Sequence, residues 1–311
     1  MSKIFGSFLF KLVLTVAVSV FIGYQIAKIE VKEAQHSFRK ILGTQVQMQT
    51  DNKLQSAIEG FLAGGEGDYA VWVKDLTPSG RRNVSINSGQ KFAAASLYKL
   101  FLMAAVYKEV NAGKITLDTE ISAKLSHLDS IFGGRDFGYE DFDDSEIIEY
   151  SVRESLERVA GISDNFAAIM LAEKISWGKV QAIAEELGAQ STTLKDPITT
   201  SADDIGLVFE KLYKGEVVSV EASEQILDML SKSKLNNRIP ALLPDDLKIA
   251  HKTGELSRVR NDAGIVFLEG NPYVIVMMSK NLRGEDDGVE NLAQISKMVF
   301  DYYAANPGEK R

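Results

Sequence analysis

Residues 94–111 read AASLYKLFLMAAVYKEVN, and the rest of the chain is understood outward from them. Apolar side chains cover nearly the whole circumference of the helix this stretch predicts, which marks a helix buried on all sides rather than a surface helix with one apolar stripe. Lys99 stands in the middle of it, three residues after Ser96. A cation in apolar surroundings needs a chemical reason, because burying an unpaired charge is costly. At a spacing of i to i+3 the serine hydroxyl and the lysine amine share one helical face, with Cβ atoms about 5–6 Å apart. A serine near a helix N-terminus also meets the positive end of the helix dipole and its free N–H groups, which favour a developing oxyanion. An amine whose pKa is lowered by burial or by a second cation can take the serine proton. Ser-x-x-Lys alone is a weak signal, since a helix-start serine followed by a solvated lysine spells the same letters.

Upstream, Lys53–Leu62 reads as a helix closed by Gly64-Gly65-Glu66-Gly67. The pattern then changes to period two: Tyr69–Leu76 and Asn83–Ile86 read as strands joined by the turn Pro78-Ser79-Gly80. Downstream, Asp136–Ser145 is acidic and reads as a surface loop. Ile147–Glu157, Asp164–Ile175, Trp177–Leu187, Ala202–Leu212 and Glu221–Ser231 read as helices. Strands return at Ala263–Leu268 and Tyr273–Ser279, and an amphipathic helix closes the chain over Gly288–Ala304. Strands, many helices, strands, helix is the order of an α+β fold with three α/β/α layers. One antiparallel sheet comes from both chain ends, flanked by helices, and an all-helical subdomain is inserted.

Two further short motifs follow in order. Ser163-Asp164-Asn165 precedes the helix at Phe166; it reads either as an ordinary cap or as a proton-relaying serine with a carbonyl-binding asparagine. His251-Lys252-Thr253-Gly254 follows the short, mostly apolar stretch Leu247–Ala250; it reads either as a strand end with a turn glycine or as a strand lining a cleft. In the second reading Lys252 supplies positive charge near Lys99 and a substrate carboxylate, Thr253 hydrogen-bonds that carboxylate, and Gly254 lets substrate backbone lie close. The N–H of Glu255 offers a second oxyanion donor.

Each motif is cheap, but the three in this order are not. The set resembles the class A β-lactamase and penicillin-binding protein family, with its S-x-x-K, S-D-N and K-T-G signatures, over roughly residues 55–305. The strand ending in Asp75-Leu76, the segment Gly113–Asp118 and Ser151-Val152-Arg153-Glu154 also look like that family. The resemblance implies a β-lactamase/transpeptidase-like fold and an acyl-enzyme on Ser96, with Lys99 as base. Ser163 then helps protonate the leaving nitrogen, and the N–H groups of Ser96 and Glu255 form the oxyanion hole. Asn165, Lys252, Thr253 and Gly254 bind substrate.

The chain departs from the family in one place. Class A enzymes carry a deacylating glutamate in an E-x-x-L-N loop. The corresponding stretch, residues 188–201, reads GAQSTTLKDPITTS and contains no glutamate. Asp196 is its only carboxylate, a candidate water-activating base or simply a solvated loop aspartate. Slow turnover or trapping of β-lactams is therefore expected. Arg258 and Arg260 are possible partners of a substrate carboxylate, or one of them pairs with Asp262. Three functions stay open: a β-lactam-hydrolysing enzyme, a peptidoglycan-directed peptidase or esterase using the same acyl-serine, and a non-catalytic wall-binding scaffold.

Composition closes other routes. The net charge is −8, so nucleic acid is not an expected partner. There is no cysteine, and His36, His127 and His251 are scattered, so no metal or other cofactor is expected. No G-x-S-x-G elbow appears, which disfavours a Ser-His-Asp hydrolase. Residues 1–29 read as an N-terminal signal-anchor, with a charge-free run Leu12–Ala27 close to the length of a membrane span. Residues 30–54 read as a helical stalk, 55–305 as the hydrolase domain and 306–311 as a polar tail. The expected location is the cell membrane, through a single pass with the domain outside the cytoplasm; a secreted protein with a cleaved signal is the alternative.

Overall fold

The computed structural model describes residues 51–132 and 145–306. The anchor, nearly all of the stalk, most of the acidic loop and the tail lie outside the described residues. Among the described residues no helix is long and apolar enough to cross a membrane.

The sheet forms from both ends of the domain, as its alternating segments require. Strands β1 (Asp68–Asp75), β2 (Val84–Ile86), β7 (Ile249–Leu256), β8 (Val259–Val266) and β9 (Tyr273–Lys280) stand in the order β2-β1-β9-β8-β7, with every neighbouring pair antiparallel. Val71 lies opposite Met277 and Val73 opposite Ile275. These side chains face a core shared with Leu54 and Ile58 of helix α1 (Asn52–Leu62) and with Leu292, Ile295 and Val299 of α9 (Glu285–Ala305). All are essentially sealed from water, and each such side chain contributes about 1.5–3 kcal/mol. The opposite face carries Trp72, whose ring lies so near Gly206 of α7 (Ala202–Tyr213) that a Cβ there would come within 2.3 Å of it. That glycine lets α7 lie flat on the sheet, completing three layers.

The segment that opened the reading splits in two. Ala95–Tyr98 is a 3₁₀ turn, and the α-helix proper, α2, runs Lys99–Asn111. From Lys99 to Tyr107 every side chain of α2 is buried. It is enclosed by α4 (Val152–Gly161), α5 (Asn165–Ile175), α6 (Trp177–Glu186) and α8 (Val220–Leu230). The short strands β3 (Phe92–Ala93) and β6 (Thr199–Thr200) pair antiparallel, and Ala94 N–H donates to Ile198 O at 3.1 Å. Residues 198–200 are thereby fastened beside the approach to Ser96.

Two expectations need correction. Ile147–Glu157 is not a single helix. Ile147–Ser151 is strand β5, paired with β4 (Glu120–Lys124), and the helix starts at Val152, capped by Ser151 Oγ accepting from Glu154 N–H. Ile147-Ile148 and Tyr150 carry β-favouring side chains, and the serine cap marks the true helix start. The strand holding Lys252 also continues to Leu256 rather than ending at Gly254.

Candidate active site

Three distant segments meet at one point. Ser96 sits in the 3₁₀ turn, half-buried; Lys99 begins α2; Ser163 and Asn165 flank the cap of α5; Lys252 and Thr253 lie in β7, both buried. Lys99 Nζ donates to Ser163 O at 2.6 Å, to Asn165 Oδ1 at 2.6 Å and to Ser163 Oγ at 3.3 Å. Lys252 Nζ donates to the same Ser163 Oγ at 2.7 Å and to Thr253 O at 2.9 Å. One hydroxyl thus joins two buried amines brought from positions 99 and 252. The cap reading of Ser163-Asp164-Asn165 is met by Asp164, which accepts from Ala167 N–H at 3.0 Å; its two neighbours face Lys99.

The electrostatics follow from crowding two cations into a dry place. Burial above all, and then the charge of Lys252, hold the Lys99 amine well below the ordinary lysine range, against a smaller opposing pull from Asp164. Burial likewise brings Lys252 down to about 7. Asp262 and Glu255 act to raise it, and Arg238 to lower it. Like charges this close disfavour double protonation, so the charge of Lys252 favours the neutral form of the Lys99 amine. Ser96 Oγ itself has no hydrogen-bonding partner among the described residues; the Lys99 amine is turned toward Ser163 and Asn165.

The backbone around the site is held under tension. Ala95 has φ 46° and Ser163 has φ 58°, a left-handed conformation that non-glycine residues adopt at a cost. Asn261 of β8 secures the first of these. Its Nδ2 donates to Ala93 O at 3.0 Å and to Ala94 O at 3.5 Å, while its Oδ1 accepts from Ser279 N–H at 3.0 Å. From the other side Gly254 presses against the turn: a Cβ at Gly254 would lie 3.1 Å from Ala94 O, 3.2 Å from Ala95 Cβ and 3.2 Å from Ser96 N. The glycine is there because β7 passes within contact of the serine's own amide.

The remaining candidates are placed elsewhere. Asp196 sits exposed at the tip of a tight hairpin whose neck is Thr193 and Thr199, bonded N–H to C=O in both directions at 2.9 and 3.0 Å. Asp204 anchors this loop by accepting from Ser191 N–H and Thr192 Oγ1. Among the described residues Asp196 has no hydrogen-bonding or ionic partner. Neither arginine pairs with Asp262, whose carboxylate is taken by His251 Nδ1 at 2.9 Å and Ile239 N–H at 3.0 Å. Arg258 donates to Leu282 O and Asn281 O, and Arg260 to Leu256 O, Val259 O and the Glu285 carboxylate. Their guanidinium groups thus secure the β7–β8 turn against the start of α9. The buried guanidinium near Lys252 belongs instead to Arg238, which is 0% exposed and paired with Glu255. No motif surrounds Arg238 in the sequence. Asn261 was equally silent there, since a buried asparagine in a strand betrays itself only by its partners. Among the described residues no cluster of His, Cys, Asp or Glu could hold a metal ion.

Known proteins share this arrangement of chain. The chain is 24% identical to a β-lactamase of Bacteroides uniformis, over 84% of its own length and 94% of that protein. It is 26% identical to the D-alanyl-D-alanine carboxypeptidase DacF of Bacillus subtilis (strain 168), over 72% of its own length and 60% of that protein. A mutant of PBP-A, solved as an acyl-enzyme complex with penicillin G, superimposes with a TM-score of 0.74 at 25% identity, covering 83% of this chain and 99% of that one. Residues 52–303 match the β-lactamase enzyme family as a whole. The fold, the three motifs and this match agree, and the chain belongs to the β-lactamase enzyme family.

Proposed function

We propose that the protein is a serine hydrolase that opens β-lactams through an acyl-enzyme on Ser96 and releases the product slowly. The observation that carries this reading is the shared Ser163 hydroxyl, bonded to both Lys99 and Lys252. In the reaction, Ser96 Oγ forms a bond to the lactam carbonyl carbon while its proton passes to the neutral Lys99 amine, which exchanges its 3.3 Å contact with Ser163 for the serine oxygen. The C–N bond of the lactam then breaks, and Ser163 delivers a proton to the nitrogen, itself resupplied from the lysine pair. The N–H groups of Ser96 and Glu255 receive the developing oxyanion, Asn165 holds the substrate amide, and Lys252 and Thr253 hold the substrate carboxylate.

Release of the ester needs a base for water, and residues 188–201 supply no glutamate. Asp196 points into solvent from a hairpin tip, so the acyl-enzyme persists. That same feature, together with the similarity to a D-alanyl-D-alanine carboxypeptidase, favours a second reading in which the natural acyl donor is a peptidoglycan stem peptide and β-lactams act as traps. A fluorescent penicillin separates the cases: rapid labelling followed by loss of label with product means efficient lactam hydrolysis; label retained for hours means trapping. Labelling that is absent, or equal in wild type and Ser96→Ala, refutes the acyl-serine and leaves a wall-binding scaffold.

We further place the apolar run Leu12–Ala27 in the cell membrane, with the catalytic domain outside the cytoplasm. Support comes from the charge-free length of that run and from the extracytoplasmic position of cell-wall substrates. Protease accessibility of the domain in intact spheroplasts tests it: degradation is expected, and protection contradicts the assignment.

A further inference from the structure

The Arg238–Glu255 pair is asymmetric in a way that bears on which substrates enter. Arg238 is wholly buried, while the Glu255 side chain is 53% exposed. Only Nη2 of Arg238 has a partner, the Glu255 carboxylate; Nε and Nη1 are buried with no acceptor. Beside the carboxylate it already holds, a buried guanidinium with unmatched donors has capacity for a further acceptor, because each buried donor without an acceptor costs stability. The site lies in the proposed active site: Glu255 directly follows Gly254, whose backbone contacts the turn holding Ser96. Lys252, the neighbour of Thr253, feels the charges of both Arg238 and Glu255.

We propose that Glu255 is a specificity-determining residue: its carboxylate is an internal anion that occupies Arg238, and a substrate carboxylate must displace it. This rests on the β-lactam reading above and deepens it. The pair opens from one side only. Glu255 can swing into water, where its charge is well solvated, whereas Arg238 cannot leave. An anionic substrate, its carboxylate on Lys252 and Thr253, takes the place of the displaced carboxylate beside the guanidinium, but it does so against the negative charge of Glu255 close by. A substrate with no negative charge next to its reacting carbonyl neither displaces Glu255 nor is repelled by it. The glutamate therefore lowers the advantage that anionic acyl donors would otherwise hold over neutral ones.

The test uses the protein in a Ser96→Ala background, so that binding is read without acylation, and compares benzylpenicillin with its uncharged methyl ester by calorimetry. Glu255→Gln keeps the size and an acceptor for Arg238 while removing the charge. The expected result is benzylpenicillin binding about tenfold tighter in Glu255→Gln, corresponding to about 1.4 kcal/mol, with the ester unchanged. Equal or weaker binding of the acid, or an equal change for acid and ester, overturns the role of Glu255 alone. Absence of saturable binding by either compound, with or without the Glu255 change, overturns the β-lactam reading and this inference with it.

Discussion

Gly254→Ala is the sharpest perturbation the geometry offers, because it adds a single methyl where β7 touches the turn carrying Ser96. The new Cβ would lie 3.1 Å from Ala94 O and 3.2 Å from both Ala95 Cβ and Ser96 N. None of these is the end of a flexible side chain, so strand and turn must separate by a few tenths of an ångström. The turn has little freedom to absorb this, since Ala95 is already at φ 46° and Asn261 ties the carbonyls of Ala93 and Ala94 to β8. The displacement falls on the Ser96 amide and on the neighbouring Glu255 amide, the two proposed oxyanion donors. A misplacement of about 1 Å in a catalytic constellation costs about 10²-fold, so a shift of a third to a half of that should slow acylation by roughly tenfold. Overpacking of this kind costs about 1–3 kcal/mol of stability, which a domain with this much buried sheet and helix surface survives. Stopped-flow measurement of the second-order acylation rate with a fluorescent penicillin, alongside a thermal melt, gives both numbers. Acylation at the wild-type rate in a folded Gly254→Ala protein would refute the placement of Ser96 N–H against β7 as a functional contact.

Three other outcomes follow from the same geometry. Lys99→Met should reduce acylation by about 10²–10⁴-fold, the usual share of a positioned proton acceptor, in a protein that still melts cooperatively, at a lowered midpoint because Ser163 O and Asn165 Oδ1 lose their shared donor. Lys252 makes stability pH-dependent with a definite sign. Its folded pKa of about 7 lies below the 10.5 of an ordinary lysine, so between those values the unfolded chain holds the proton and the folded chain does not. Stability therefore rises with pH across that window and is lost as pH falls toward 7, by at most about 1.4 kcal/mol per pH unit; melts from pH 7 to 9 should show a steeper rise in wild type than in Lys252→Met. Asp196→Asn should leave the lifetime of the acyl-enzyme unchanged by intact mass, since that carboxylate faces solvent; a marked lengthening would make Asp196 the deacylating base after all.

What the sequence disclosed and what it hid divide along physical lines. Lys99 was legible because a lysine amid Leu100–Met103 and Ala93–Ala95 contradicts its surroundings, and the contradiction points at a buried partner. The sheet was legible because its strands alternate or run apolar, and because those runs lie at both ends of the domain. Ile147–Ser151 misled because its strand runs straight into the helix starting at Val152, and periodicity over five residues does not separate the two; the Ser151 cap was the only mark of the border. Arg238 and Asn261 could not be found from local pattern. Their roles exist only through contacts with residues 17 and 168 positions away. The short loop at 188–201 was visible as a missing glutamate, but that Asp196 would be held out at a hairpin tip depended on the pairing of Thr193 with Thr199 and on the Asp204 anchor.

The central claim is covalent, so mass is its most direct witness. Intact mass of the purified domain after brief exposure to benzylpenicillin should rise by the mass of one penicillin, peptide mapping should locate the addition at Ser96, and the adduct should outlast removal of free drug. An unmodified mass at saturating drug with no product in solution, or an adduct that survives Ser96→Ala, would contradict the account.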